Sequence, residues 1–170
     1  MATSVSSMIG VDFNNPSSTA LFGLGTEVFG TQASEWTYCV ATGTLSTGQL
    51  VAIFPYGTAY AFTTALLAGA DVALTTGNLN LGAVQTYATQ GQYVWVARKG
   101  VDLYVATSGT IPPGPVGFAP SAGFLVTSLL VAVGQTAAGI FITTSASTAT
   151  AATARATLQW PRPLVGVPQA

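Results

Sequence analysis

The sequence predicts an all-β protein with a compact β-barrel or β-sandwich core. Short runs rich in β-branched and aromatic residues recur along the chain, separated by Gly, Pro, Ser or Asn. Both faces of the clearest runs are apolar, which is typical of strands that are covered on two sides. Helical periodicity is weak, because the Ala-rich stretch 145–154 carries many Thr and Ser residues and has no apolar period.

These runs predict eight strands. They are Glu35–Thr42, Leu50–Pro55, Ala59–Thr63, Gln92–Ala97, Val101–Thr107, Leu129–Val133, Gly139–Thr144 and Arg155–Trp160. Between them, Thr63–Gly69 is compatible with a single helical turn that ends at its glycine. Ile111–Pro115 contains three prolines and is predicted to be a stiff connector without helix.

The clearest pair of strands lies between residues 92 and 107. Gln92–Ala97 and Val101–Thr107 flank a short segment that contains Gly100. This is the pattern of a β-hairpin with a tight turn. We therefore expect Arg98 and Lys99 to lie at a solvated hairpin tip.

Composition divides the chain into three parts. We assign residues 1–21 to an extended N-terminal arm, residues 22–144 to the β core, and residues 145–170 to a linker, the last strand and a C-terminal tail. The N-terminal arm is rich in Ser, Thr and Asn, and its few apolar residues show no period. We expect it to become ordered against a partner. The residues expected to anchor it there are Met8, Ile9 and Phe13.

The C-terminal tail begins at Trp160. Prolines at alternate positions in Trp160–Pro168 favour an extended polyproline conformation. Two interpretations remain open for this segment: a frayed terminus, or a second arm that docks on a neighbouring subunit. In the second case its contacts would be Trp160, Leu164 and Val165.

Charge is scarce in this chain. Its 170 residues include four Lys and Arg, five Asp and Glu, and no His, so 5% are charged, against about 25% in average soluble proteins. With so few charged side chains, the protein cannot surround itself with a charged surface. Either other subunits cover much of it, or it lies in a membrane.

The membrane alternative fits the sequence poorly. A spanning helix needs about 20 continuous apolar residues, but Leu50–Leu74 is interrupted by Pro55 and Gly57, and Gly123–Val133 is only about half that length. Neither stretch has flanking Lys or Arg residues that would set an orientation. Residues 1–10 contain no secretory signal pattern. We predict assembly with other subunits and no membrane insertion.

The residue types that catalysis requires are almost missing. Cys39 lies in a strand-like run, and with no His in the chain we expect a buried hydrophobe and not a nucleophile. Phe22–Thr26 begins like a Gly-rich phosphate loop but lacks a preceding strand and a third spaced glycine. Four basic residues do not make the basic stripe that nucleic acid requires. We expect no enzyme activity, cofactor, metal, small-molecule substrate or nucleic-acid partner.

The few charged residues are candidates for ion pairs at an interface. In a chain so poor in charge, each pair would help to orient a neighbouring subunit. The candidates are Glu27, Glu35, Arg98 and Arg155. Two acids would also suffice for a glycosidase, but no accompanying aromatic and polar cleft is evident. The remaining alternative is that the acids stand in solvent or pair with bases of their own chain.

Four segments carry a resemblance to a known class of proteins. They are Glu35–Ala41, Gly91–Gly100, Ala122–Val126 and Leu158–Pro161. Together with the β-rich, nearly uncharged texture of residues 22–161, they resemble the decoration, or cement, proteins of tailed-bacteriophage heads. That resemblance implies a barrel or tulip-like β core, a homotrimer, and arms that contact neighbouring subunits. It also implies the capsid exterior as location and the major capsid protein as partner.

Other roles share this composition. A phage tail or fibre module or a minor coat component is the main alternative, and the copy number per particle would separate it from a head protein. A secreted adhesin or pilus subunit would normally carry a signal sequence. A cell-wall glycan hydrolase would have to work through Glu27 or Glu35.

Overall fold

The regular secondary structure of the described residues is almost entirely β. The computed structural model describes residues 11–54, 57–61, 80–107, 111, 113–117, 136–144 and 152–164. Within them are one 3-10 turn, Thr31–Ala33, and nine strands. The strands are β1 (Glu27–Phe29), β2 (Glu35–Ala41), β3 (Leu50–Phe54), β4 (Thr58–Ala61), β5 (Asn80–Val84), β6 (Tyr93–Thr107), β7 (Gly114–Gly117), β8 (Thr136–Ile142) and β9 (Ala152–Leu164).

Five of the strands close into a barrel. The full sheet has the order β1-β2-β4-β3-β5-β6-β9-β8-β7, and an additional pairing joins β2 to β6. That pairing closes the circuit β2-β4-β3-β5-β6, with β1 and β7 to β9 outside it. The neighbours are antiparallel except β2 and β4, which are parallel. The predicted all-β fold with a barrel core is confirmed.

The barrel interior is filled by small side chains. All five barrel strands contribute to one buried cluster: Cys39, Ala41, Leu45, Val51, Ile53, Ala59, Val84, Ala88, Val94 and Val96. A barrel of few strands encloses little space, so its interior admits mainly Ala and Val. Gly82 in β5 follows the same rule, because a Cβ atom there would lie 2.5 Å from Cγ1 of Val96.

The outer face of the barrel carries the large aromatic side chains. Trp36 and Tyr38 of β2 lie beside Trp95 of β6, and all three are buried. Residues 11–22, here called the N-terminal strap, cover them. Phe13 of the strap stacks on Trp36, with 4.6 Å between ring centroids, and meets Trp95 edge-on at 5.7 Å. This cluster continues into the contact between the barrel and β8 and β9.

The predicted hairpin at residues 92–107 is wrong. β6 runs as one strand of 15 residues. Its register shifts near Gly100 and Asp102, which have positive φ angles of 149° and 57°. These irregularities bend the strand without reversing it. Its first part pairs with β2 and β5, and its second part pairs with β9.

The polyproline prediction is wrong for residues 161–164. β9 continues through them to Leu164 and pairs there with β8. The ladder is interrupted where Gly139 has a φ of 82° and Trp160 a φ of 45°. This irregularity lets a strand with two prolines stay in the sheet.

The other predicted elements have mixed outcomes. The strands predicted to begin at residues 35, 50, 59, 139 and 155 correspond to β2, β3, β4, β8 and β9. Three strands were not predicted: β1, β5 and β7. The last of these overlaps the end of the predicted connector Ile111–Pro115 and continues to Gly117. The predicted strand Leu129–Val133 and the helical turn Thr63–Gly69 lie outside the described residues.

Candidate interaction surface

Three ion pairs join acids and bases of the same chain. Arg98 pairs with Glu27, Lys99 with Glu35 at 3.3 Å, and Arg155 with Asp102 at 3.4 Å. The candidate interface residues Glu27, Glu35, Arg98 and Arg155 therefore all have partners within the fold. Arg98 and Lys99 do not lie at an exposed tip, since both side chains are mostly buried. The prediction of a solvated tip is wrong because β6 does not turn there.

One row of side chains crosses four strands. Strand register aligns Phe29 of β1 with Glu35 of β2, then Lys99 of β6, then Gln159 of β9. Directly paired residues of neighbouring strands project to the same face of a sheet. We call Phe29, Glu35, Lys99 and Trp160 the cross-strand row. Trp160 is included in place of Gln159, which it follows in β9, because its side chain contacts Glu35 and Lys99.

Trp160 is tied to this ion pair by two contacts. Its indole N–H donates a hydrogen bond of 2.7 Å to Oε2 of Glu35. The Lys99 ammonium lies 4.3 Å from the centre of its ring, within the range of a cation–π interaction. Trp160 thereby joins β9 to the barrel strand β2, with which β9 does not pair in the sheet.

The backbone of Trp160 is strained. Its φ of 45° lies in the left-handed region, where a bulky residue other than glycine is an outlier. Such strain persists where surrounding contacts hold it, and it concentrates at functional sites. The contacts with Glu35 and Lys99 hold the Trp160 side chain in place and thereby maintain this backbone conformation.

The aromatic rings of the row are open to solvent. Phe29 is 66% exposed and Trp160 42%. Other large hydrophobic residues are also exposed among the described residues: Leu21, Leu24, Tyr87, Val101 and Phe141. The row differs from these because its two rings flank an ion pair that is neutral as a whole. Trp is among the residue types that are enriched in interface hot spots.

A second polar cluster lies on the sheet formed by β6, β9 and β8. The Arg155 guanidinium lies 3.8 Å from the centre of the Tyr104 ring. It donates hydrogen bonds to the Tyr104 hydroxyl at 2.7 Å and to the Asp102 carbonyl at 2.6 Å. These contacts hold Arg155 along the bend in β6, which is a structural role within the chain.

Cys39 is buried in the barrel interior, as its sequence context predicted. Burial raises the pKa of its thiol from 9.0 to about 12, and the nearby Arg98 charge opposes this shift only in part. A nucleophilic cysteine needs a lowered pKa and access to solvent. The geometry of Cys39 provides neither.

The residues predicted to anchor the arms have different positions. Phe13 is 1% exposed and packs in the core of its own chain, which differs from its expected role of docking on a neighbour. Trp160 is exposed in the cross-strand row, and Leu164 is the last residue of β9. Met8, Ile9 and Val165 lie outside the described residues.

Phe29 was not predicted as a functional residue. It precedes Gly30 in a segment for which no strand was predicted, and β1 has only three residues. An isolated Phe beside glycines is a weak signal in sequence. Its place beside Glu35 depends on the pairing of β1 with β2.

No helix in the described part of the chain is long and apolar enough to span a bilayer.

Metal ligands are not clustered in residues 11–54, 57–61, 80–107 and the later described segments. No group of three or more His, Cys, Asp or Glu side chains there could hold a metal ion. Comparison with protein-family models and with curated proteins finds no match for this chain.

Proposed function

We propose that this chain is a structural virion protein that binds the outside of a capsid lattice and stabilises it as a decoration, or cement, protein. Its partner is the major capsid protein, and it acts as a homo-oligomer, with a trimer as the expected form. The observation that carries the proposal is the cross-strand row, in which Phe29 and Trp160 are exposed around the Glu35–Lys99 pair.

The physical reason is the balance between apolar area and charge. Covering apolar surface contributes about 25 kcal/mol for each 1,000 Å² before the costs of association, which remove most of it. Burying the row leaves no net charge without a partner, because Glu35 and Lys99 already pair at 3.3 Å. A lattice subunit could therefore cover the two rings without stranding an unpaired charge.

The scarcity of free charge supports the same proposal. Three acids and three bases of the described chain are engaged in pairs with one another. The exposed hydrophobic residues are thus not surrounded by the solvating charges of an ordinary monomer surface. A protein whose surface is covered by other subunits does not need such solvating charges.

Binding to capsids that lack this protein tests the proposal. Such capsids, from a phage with the gene for this chain deleted, are mixed with purified protein, and occupancy is measured by quantitative gel analysis and cryo-EM. Phe29→Ser should weaken binding about ten-fold or more, because truncating a central aromatic residue has that effect at an interface.

Tyr87→Ser is the matched control. Tyr87 is also exposed, at 56%, but it lies outside the row, so its variant should bind like the natural protein. Equal binding of both variants would remove the row from the interface. Failure of the natural protein to bind the capsids would contradict the decoration role. A few copies confined to the tail of wild-type particles would favour the tail or fibre alternative.

A further inference from the structure

A cavity of about 410 Å³ lies between the N-terminal strap and the outer face of the barrel. One side of it is aromatic and includes Phe22, Tyr38 and Tyr93. The other side is polar and comes from the strap: Asp12, Asn15 and Ser18. The volume falls within the range of small-molecule sites, about 300–1,000 Å³. This cavity is separate from the cross-strand row and has no part in the proposed capsid contact.

The walls of the cavity are fixed by contacts within the chain. Ser17 and Tyr93 exchange two backbone hydrogen bonds, of 3.0 and 2.8 Å. The amide of Leu21 donates to the Tyr38 hydroxyl at 3.1 Å. Phe13 pins the start of the strap by stacking on Trp36. The cavity is therefore preformed, which lowers the cost of ordering when a ligand binds.

The chemistry of the lining selects the class of ligand. The polar side offers a carboxylate, an amide and a hydroxyl, and none of the described residues that line the cavity is a lysine or an arginine. Phosphates and other anions would meet Asp12 without a compensating cation, so they are disfavoured. A purely apolar ligand would strip water from the polar side without replacing its hydrogen bonds.

Two classes remain, a cation in an aromatic cage and a neutral polyhydroxylated ring. A cage needs open aromatic faces around the cation. Tyr38 cannot provide one freely, because it stacks on Tyr93 with 5.8 Å between centroids and lies 4.8 Å from Trp95. We propose that this cavity binds a neutral saccharide unit. The half-buried rings of Phe22 and Tyr93 would pack against its apolar face.

The polar residues then bind the hydroxyl groups at the edge of the sugar. The Asp12 carboxylate is oriented by a hydrogen bond of 2.9 Å from the amide of Asn14 to its Oδ1. Its other oxygen accepts from sugar hydroxyls. The Asn15 amide both donates and accepts, which suits hydroxyl groups that do the same.

Fluorescence titration of the natural protein tests this inference, since Trp95 lines the cavity. The probes are glucose, galactose, mannose and N-acetylglucosamine, with choline chloride as the cationic comparison. At least one sugar should give a saturable change with a dissociation constant in the millimolar range, as expected for so small a ligand. Saturation-transfer NMR with the same sugars provides a readout independent of Trp fluorescence.

Asp12→Asn should weaken sugar binding about ten-fold, because a charge-assisted hydrogen bond is lost. Asn15→Ala should weaken it less, and Tyr87→Phe, outside the cavity, should bind like the natural protein. Asp12 is exposed, so its variant should keep the melting temperature of the natural protein. No saturable binding of any of the four sugars, equal binding by Asp12→Asn and Tyr87→Phe, or binding of choline alone would overturn the inference. Capsid occupancy of Asp12→Asn should stay unchanged, which separates this test from that of the decoration role.

Discussion

Side-chain size differs sharply between the interior of the barrel and its outer aromatic face. The interior is lined mainly by Ala and Val, and even a methyl group at Gly82 would meet Val96. The outer face packs three large aromatic side chains of β2 and β6 under the N-terminal strap. The closed ladder of strands fixes the space inside, whereas the outer face is covered by the strap, which is bridged to β6 at Ser17 and Tyr93.

This difference predicts which kind of substitution destabilises each region most. A fixed, dense interior responds most to added volume, because side chains and backbone have little room to shift. The outer cluster responds most to lost volume, because a large ring leaves a large cavity. For the strap we expect a third behaviour: once Phe13 no longer stacks on Trp36, it should detach while the barrel remains closed.

The largest effect is expected at Trp36. Trp36→Ala should lower the free energy of unfolding by about 3–5 kcal/mol, the usual cost of removing a buried Trp or Phe side chain. Phe13→Ala removes the ring that stacks on Trp36. This variant should lose less unfolding free energy, because the loss cannot exceed the stability that the strap's contacts with the barrel contribute. Urea unfolding measures both values.

Hydrogen exchange separates the two variants further. In Phe13→Ala the amide of Tyr93, which donates to the strap at Ser17, should exchange faster while β3 and β5 keep their protection. Equal loss of protection throughout the barrel would show that the strap and the barrel unfold as one unit.

An intermediate effect is expected at Gly82. Gly82→Ala places a Cβ atom 2.5 Å from Cγ1 of Val96 and 2.8 Å from the carbonyl oxygen of Ala97. Such overpacking should cost about 1–3 kcal/mol in thermal or urea unfolding. Gly43→Ala is the matched control, because nothing lies within 4 Å of its added Cβ atom. Similar stability of the two variants would mean that the interior is looser than the closed ladder requires.

The smallest effect concerns the protonation of Cys39. Burial raises its pKa from 9.0 to about 12 in the folded chain, so the folded state keeps a proton that the unfolded state loses. Stability contributed by the thiol is therefore complete below pH 9 and is lost as the pH rises towards 12. Between pH 9 and 10 the loss should be about 1 kcal/mol.

Comparison with Cys39→Ala isolates this contribution from other titrating groups. The difference in unfolding free energy between the two proteins should shrink with the same slope over this pH range. A constant difference would show that the thiol titrates alike in both states. In the folded protein the thiol should also resist alkylation.

Local patterns predicted most strands, but the one strand pairing that they predicted, the hairpin at residues 92–107, is wrong. The strand Leu50–Pro55 was predicted from a short apolar run that ends at a proline, and it corresponds to β3. Cys39 was predicted to be buried from its strand-like neighbours. The continuity of β6 could not be predicted. Arg98-Lys99-Gly100 suits a hairpin tip in sequence, and only the partners on both sides of β6 show that the strand continues.

The candidate surface depended even more on distant contacts. Trp160 and Glu35 were singled out separately, but nothing in their neighbourhoods indicates a hydrogen bond across 125 positions. Phe29 was missed because a strand of three residues has no period to detect. Phe13 was expected to contact a neighbouring subunit, but it packs on its own barrel. An isolated apolar residue in a polar segment does not indicate which of these two surfaces it will cover.

The sequence by itself determined an all-β chain that is poor in charge, with Cys39 among the buried residues. These properties follow from composition and from the alternation of side chains within short runs, both of which are local. Only the tertiary structure decided that five strands close into a barrel, that the strap packs on its outer face, and that Phe29, Glu35, Lys99 and Trp160 lie together. The physical reason is that register and closure arise from pairing between distant segments, which no local run of residues specifies.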